Sequence, residues 1–265
     1  MTSRSEPRYG IVADIHGNVQ AFEAVLAHLD EAGIDAIYCL GDVVGYGGDP
    51  RACVALVRER CAATVRGNHD HAVYDPSLRR EFNDHARRAI ERQADILDDE
   101  EKAWLAGLPP VLEVGEISLG HGGFEDPEAY TYVTRAHHAA VELRALRTRW
   151  GFLGHTHVPA AWRLKPEGGI ETLLLTSPPV RAPGGGARHA AFTTLPLPGP
   201  GRILVNPGAV GQPRDRDPRA ACAILDTGSA TLEHARLPYD IAGAQEAIRR
   251  NGLPIFEAGR LAQGI

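Results

Sequence analysis

Apolar residues in the first third of the chain fall alternately into short continuous runs and into spacings of three to four, the pattern of strands and amphipathic helices in succession. Gly10 to Ala13 reads as a buried strand, and Ala21, Phe22, Val25, Leu26 and Leu29 then recur at helical spacing from Asn18 until Gly33. A second strand is expected over Ala36 to Leu40. A helix opening on Asp49-Pro50 and carrying Val54, Leu56 and Val57 follows, then a short strand over Ala63 to Val65. Glu81 to Leu108 reads as helical, with Asp98 and Glu101 spaced as a capping pair. Val111 to Val114 and Ile117 to Leu119 form a hairpin pattern across Gly115-Glu116, and Phe152-Leu153 is a strand after a helix centred on Leu143 and Leu146. Strands return at Ile203 to Val205, Cys222 to Leu225 and near Thr231, and helices over Ala242 to Arg249 and Ile255 to Leu261 close the pattern. The alternation predicts an α/β layered fold, here taken as a single domain over residues 1 to 265. Between Pro166 and Gly201 the composition shifts to Pro and Gly, which predicts a long loop or flap; a flap selecting substrate and a tolerated surface insertion both fit it.

Composition narrows the function classes. The 265 residues carry 28 Lys+Arg against 34 Asp+Glu, a net charge of -6, and 43% are hydrophobic, which excludes disorder as the main state. The negative balance argues against a stable nucleic-acid partner, which would need Lys and Arg to meet phosphates. No stretch reaches the roughly 18 to 20 apolar residues of a membrane helix, and no apolar leader core precedes the first strand, so a cytoplasmic location is expected. Cys39, Cys53, Cys61 and Cys222 form no C-x-x-C pair, and reduced, buried thiols are expected.

Candidate chemistry lies in five short motifs, each just after an apolar run, the end of an α/β strand where ligands bind. They are Asp14-Ile15-His16, Gly41-Asp42, Gly67-Asn68-His69-Asp70, His121-Gly122 and Gly154-His155-Thr156-His157. In a loop, residues i and i+2 can point the same way, so Asp14 with His16, and His155 with His157, could each chelate one ion. Any one pair is weak evidence; five in this order are not. His28, His85, His137, His138, His189 and His234 lack a partner at useful spacing and are expected to be surface or core histidines.

The succession D-x-H, G-D, G-N-H-D, H and G-H-x-H, spanning residues 14 to 157, resembles the calcineurin-like metallophosphoesterases. The stretches Gly41-Asp42-Val43-Val44-Gly45-Tyr46-Gly47, Arg66 to Asp70 and Asn206 to Arg214 look most like its bacterial phosphodiesterase-like branch. The resemblance implies a four-layer α/β/β/α sandwich of two packed sheets with helices outside. It implies two divalent ions: Asp14, His16 and His157 would hold one, Asn68, His121 and His155 the other, and Asp42 would bridge them with both carboxylate oxygens. Mixed nitrogen and oxygen donors suit first-row metals, with manganese the first choice and iron, zinc, cobalt or nickel the alternatives. A metal-bound hydroxide would attack phosphorus, and His69 would protonate the leaving group or stabilise the charge building on it.

The implied function is hydrolysis of a phosphodiester or nucleotide-type phosphate, the partner being a phosphate-containing small molecule. A phosphomonoesterase, a protein phosphatase and a non-enzymatic scaffold on the same fold are the alternatives. In the Ser/Thr protein phosphatases and the symmetrical dinucleoside tetraphosphatases the second motif continues G-D-x-x-D-R-G, whereas this chain has Gly45 and Tyr46 at those two places, which counts against both readings. The group orienting His69 is therefore open, with Asp70 a candidate. Arg66 and Arg214 are candidates to grip phosphate, although an exposed turn residue is the first reading of Arg214. Asn18 fits either a substrate contact or a helix N-cap, and His71 either the substrate pocket or the surface.

Overall fold

In a computed structural model, which describes residues 6–175, 189–197 and 199–265, the alternation read from the sequence appears as twelve strands and eight α-helices. They run β1 (Arg8–Val12), α1 (Val19–Ala32), β2 (Ala36–Cys39), α2 (Pro50–Arg60), β3 (Cys61–Thr64), α3 (Asn68–Tyr74), α4 (Asp84–Ile96), α5 (Asp99–Ala106), β4 (Val111–Val114), β5 (Ile117–Gly120), α6 (Ala136–Ala145), β6 (Trp150–Phe152), β7 (Ala160–Leu164), β8 (Ile170–Leu173), β9 (Ala191–Pro196), β10 (Arg202–Asn206), β11 (Ala220–Asp226), β12 (Thr231–Leu237), α7 (Ile241–Arg250) and α8 (Ile255–Leu261). Local chemistry sets the ends. The Asn18 side chain accepts from the Ala21 N–H at the start of α1, Gly33 takes a left-handed turn at its end, and Asp98 with Glu101 makes a reciprocal capping box on α5.

The strands form two six-stranded sheets, ordered β3-β2-β1-β11-β12-β9 and β4-β5-β6-β10-β7-β8. Side-chain alternation makes each sheet two-faced. Ile11 and Ala13 point between the sheets with Phe152, Ile203 and Val205, while Val12 points the other way, into the layer packed by Phe22, Val25 and Leu29 of α1. On the second sheet Leu204 points outward to meet Leu143 and Leu146 at α6. The layers are therefore α/β/β/α. A further cluster of Tyr46, Ala86, Ala244, Ile248, Ala258 and Leu261 packs α4, α7 and α8 beside the site described below.

Each sheet contains a parallel triplet, β3-β2-β1 in one and β5-β6-β10 in the other. The loops after all six strands carry the sequence motifs, and they meet at one rim of the sandwich. The Pro/Gly-rich segment is not one loop: Ile170–Leu173 pairs with β7, and Ala191–Pro196 pairs with β12. The Pro and Gly that obscured this pattern in the sequence flank the strands: β8 contains neither, and β9 has only Pro196 at its end, as an edge strand tolerates. Residues 176–188, where the flap reading would centre, lie outside the described residues. The helical reading of 81 to 108 resolves into α4 and α5, because Leu97 is extended and Asp98 starts a new cap.

His234 on β12 is fully covered, its Nε2 3.0 Å from the Pro207 carbonyl oxygen. Burial, helped by the nearby Arg236 guanidinium, pulls its pKa from 6.5 down to about 4. Between those values the unfolded chain takes up a proton that the folded protein refuses, so stability is complete above about pH 6.5 and falls as pH drops toward 4. In urea unfolding with chelator present, wild type should lose roughly 2 to 3 kcal/mol more than His234→Gln between pH 7.5 and 4.5. A gap between the two proteins that does not change with pH would contradict this.

Candidate metal centre

The backbone aims the motif side chains before any ion is considered. Of nine non-glycine residues with positive φ among the described residues, five are Asp14 (55°), His16 (49°), Asp42 (52°), His155 (68°) and His157 (60°). In both the D-x-H and the H-x-H motif the two outer residues are left-handed, which turns both side chains inward. Each such residue costs roughly 1 to 2 kcal/mol. Loop-to-loop hydrogen bonds hold them there: the His16 N–H donates to the Asp42 carbonyl at 2.9 Å, Gly17 to Val43 at 2.9 Å, and Gly211 to the Asp14 carbonyl at 2.9 Å. Gly211 is required at that contact, since a Cβ there would lie 1.8 Å from the Ile15 oxygen.

Two groups of donors result. Asp14, His16, Asp42 and His157 form one, and Asp42, His121 and His155 the other, each with its donor atoms within 4.8 Å of one another and every residue buried. Asp42 belongs to both. Its Oδ1 accepts the His69 backbone N–H at 2.8 Å, and its Oδ2 lies 3.5 Å from His16 Nε2 and 3.3 Å from His121 Nε2. The Asn68 amide oxygen joins the second group, 3.2 Å from His121 Nε2.

The second ring nitrogen of three histidines shows what these groups suit. Nδ1 of His16 meets the Val44 carbonyl at 2.9 Å, that of His121 the Leu40 carbonyl at 2.8 Å, and that of His157 the Gln212 carbonyl at 2.6 Å. A carbonyl only accepts, so Nδ1 carries the hydrogen and Nε2 presents a lone pair inward. Nε2 of His16 and Nε2 of His157 then face each other at 3.1 Å, a repulsive arrangement that a cation relieves. Burial pushes the His16 and His157 pKa well below 6.5, which keeps both imidazoles in the neutral form a metal needs. Burial also opposes charge on His121, but the Asp42 carboxylate outweighs it and raises its pKa to about 9, a proton filling the position a cation would take. Burial likewise raises Asp14 to about 7. The donor set of neutral imidazole, carboxylate and amide oxygen fits first-row divalent ions.

His69 sits beside these groups without belonging to them. Its ring centroid is 4.8 Å from that of His16, 4.5 Å from Tyr46 and 4.9 Å from Phe82, and its Nδ1 is buried with no hydrogen-bond partner among the described residues. Asp70 does not orient it, because both of its oxygens are taken by backbone N–H groups, Val44 at 3.1 Å and Gly67 at 3.0 Å. Packing and the Oδ1 bond of Asp42 to its backbone do the orienting instead.

Over this floor lies a cleft of about 540 Å³, lined by Tyr46, Phe82, Tyr130, Tyr132, Arg214 and Arg260 among others. His71 lines it as well, its Nδ1 3.1 Å from the Tyr130 hydroxyl. Asn18 does not: Oδ1 caps α1 and Nδ2 donates to the Gly211 carbonyl at 2.8 Å, so both ends of its amide are used in the scaffold. Arg66 stands behind the wall, donating to the Tyr74 hydroxyl at 2.9 Å and to Glu128 at 2.6 Å. None of the described residues of the 166–201 segment lines the cleft. Tyr46, Tyr130, Tyr132 and Arg260 were not singled out as site residues from the sequence. Tyr46 alone of these carries a signal in the sequence, its place inside the Gly-rich run Gly45-Tyr46-Gly47-Gly48.

A model of the calcineurin-like phosphoesterase superfamily domain matches residues 8–230. An uncharacterised protein of Methanocaldococcus jannaschii is 32% identical over 261 residues, covering 96% of this chain and 97% of its own. The crystal structure of a metallophosphoesterase from Sphaerobacter thermophilus superposes with a TM-score of 0.79 at 35% identity, over 98% of this chain and 100% of that one. A hypothetical protein from Pyrococcus horikoshii shares the fold at 18% identity and a TM-score of 0.73, over 97% and 98% of the two chains. No described helix is long and apolar enough to cross a membrane.

A Cβ on Gly45, whose φ is 101°, would lie 2.3 Å from His69 Nδ1. Gly45→Ala should therefore destabilise the fold by about 1 to 2 kcal/mol and lower turnover at least ~10-fold by displacing His69. Full turnover by the folded variant, assayed with saturating metal, would show that His69 is not fixed by this contact.

The chain belongs to the calcineurin-like phosphoesterase superfamily and is a metal-dependent phosphoesterase.

Proposed function

We propose that this phosphoesterase hydrolyses a phosphodiester or nucleotide-type phosphate at a centre of two divalent ions, most simply manganese. The observation that carries the reading is Asp42 Oδ2, a single carboxylate oxygen within 3.5 Å of an imidazole nitrogen from each donor group. Asp14, His16 and His157 would hold one ion, and Asn68, His121 and His155 the other, with Asp42 common to both. Two such ions supply positive charge for phosphoryl oxygens and bring the pKa of water near neutrality.

The chain's own residues account for the remaining requirements. His69 lines the cleft, and with Nδ1 held against Gly45 without an acceptor its neutral ring carries the hydrogen on Nε2. In that form it donates to the oxygen leaving phosphorus. Burial lowers the His69 pKa to about 4 when no ion is present, so a hydrogen bond from neutral imidazole is the form available at neutral pH. Arg214 faces the cleft with only neutral acceptors among the described residues, the Gln212 amide oxygen at 2.9 Å and the Tyr46 hydroxyl at 3.3 Å, and is suited to an anionic phosphate. The volume and the aromatic walls suit a nucleotide-sized substrate better than a small monoester.

The protein stripped of metal and resupplied with manganese should release p-nitrophenol from bis-p-nitrophenyl phosphate well above p-nitrophenyl phosphate. A monoester preference with every metal tried would overturn the diester reading. His69→Asn should cut diester turnover about 100-fold with metal content unchanged, and equal turnover would remove His69 from the reaction.

A further inference from the structure

The C-terminal helix α8 lies beyond the residues the family model matches, yet it sends Arg260 into the cleft. There it meets Arg214 on a common support. The Arg214 guanidinium carbon is 5.6 Å from the Tyr46 ring centroid and that of Arg260 is 5.8 Å from it. Tyr46 is itself 4.7 Å from the His16 ring and 4.5 Å from His69. The Arg214 backbone N–H donates to the His157 carbonyl at 3.3 Å, which ties this residue directly to the donor groups.

One polar chain fixes both arginines. Arg260 donates to Glu257 Oε2 at 3.3 Å, the Gln212 amide donates to the same oxygen at 3.0 Å, and the Gln212 oxygen accepts from Arg214 at 2.9 Å and 3.3 Å. Two guanidinium charges thus share the Glu257 carboxylate, and the Arg260 Nε–H also donates to the Ile265 oxygen. Among the described residues Arg214 has no acidic group within 4.0 Å. An arginine of this kind, packed against a ring and lacking an ion-pair partner, has strong bonds left for an anion.

We infer that Arg260 and Arg214, held on Tyr46, form a subsite for a second phosphate linked to the reacting one, so that the substrate class is a phosphoanhydride-linked nucleotide. The inference rests on the reading above that the metal groups hold the reacting phosphate. It differs from that reading in assigning α8 a part in choosing substrate. A substrate with a single phosphate would fill the metal groups and leave the arginine pair facing water.

The test is calorimetric binding to the manganese-loaded protein of adenosine 5′-(α,β-methylene)diphosphate, which resists hydrolysis between its phosphates, against AMP. Wild type should bind the methylene diphosphate at least ~10-fold more tightly than AMP. Arg260→Gln should erase most of that preference, and Arg260→Lys should recover part of it. Equal binding of the two ligands by wild type, or a preference untouched in a folded Arg260→Gln, would overturn the subsite while leaving the diesterase reading in place. Absence of bis-p-nitrophenyl phosphate hydrolysis by the same wild-type preparation would overturn the underlying reading, and the subsite with it.

Discussion

The Asp42 carboxylate ties this molecule together. One oxygen fixes the backbone of His69, and the other is common to two groups of inward-facing donors, so metal binding and placement of the candidate proton donor depend on one side chain. It is buried with three imidazoles close by, and burial alone would keep it protonated. The His121 imidazole, itself kept protonated by this carboxylate, outweighs that and holds its pKa far below the ordinary carboxylate range. A buried anion in this state needs permanent positive partners, which is the electrostatic reason a site with so many neutral histidines calls for cations.

The fold exists to hold that carboxylate and its neighbours in backbone conformations they would otherwise avoid. Two parallel triplets, one in each sheet, bring six strand ends to one rim, and the loops then brace each other by hydrogen bonds between non-consecutive segments. Together the five left-handed donor residues store roughly 5 to 10 kcal/mol of unfavourable conformation. Only a rim supported by apolar layers on both sides of each sheet can hold it. The close approaches at Gly45 and Gly211 belong to the same bracing, since neither position has room for a methyl group.

Much of this was legible in the sequence because the motif residues follow apolar runs closely. The strand ends, the cap at Asp98, and the donor residues from Asp14 to His157 could all be placed by local pattern. What was not legible depends on contacts between distant segments. Asn18 reads equally as cap or substrate contact until Gly211, nearly two hundred residues away, is seen to take its other end. Arg66 looked like a phosphate ligand because of its neighbours in sequence, yet its partners are Tyr74 and Glu128. Arg260 carries no local signature, for it comes from an ordinary amphipathic helix whose register in space brings it to Tyr46. The edge strands β8 and β9 were hidden by the Pro and Gly around them, which mark loops in a sequence and leave short strands between them unread.

The account turns on the sharing of Asp42 between two ions, and metal stoichiometry tests it most directly. Equilibrium dialysis against manganese, followed by elemental analysis, should give two ions per chain for wild type. Folded Asp42→Asn should lose both together, whereas His121→Ala should lose one. Two ions retained by Asp42→Asn at unchanged affinity would contradict the account.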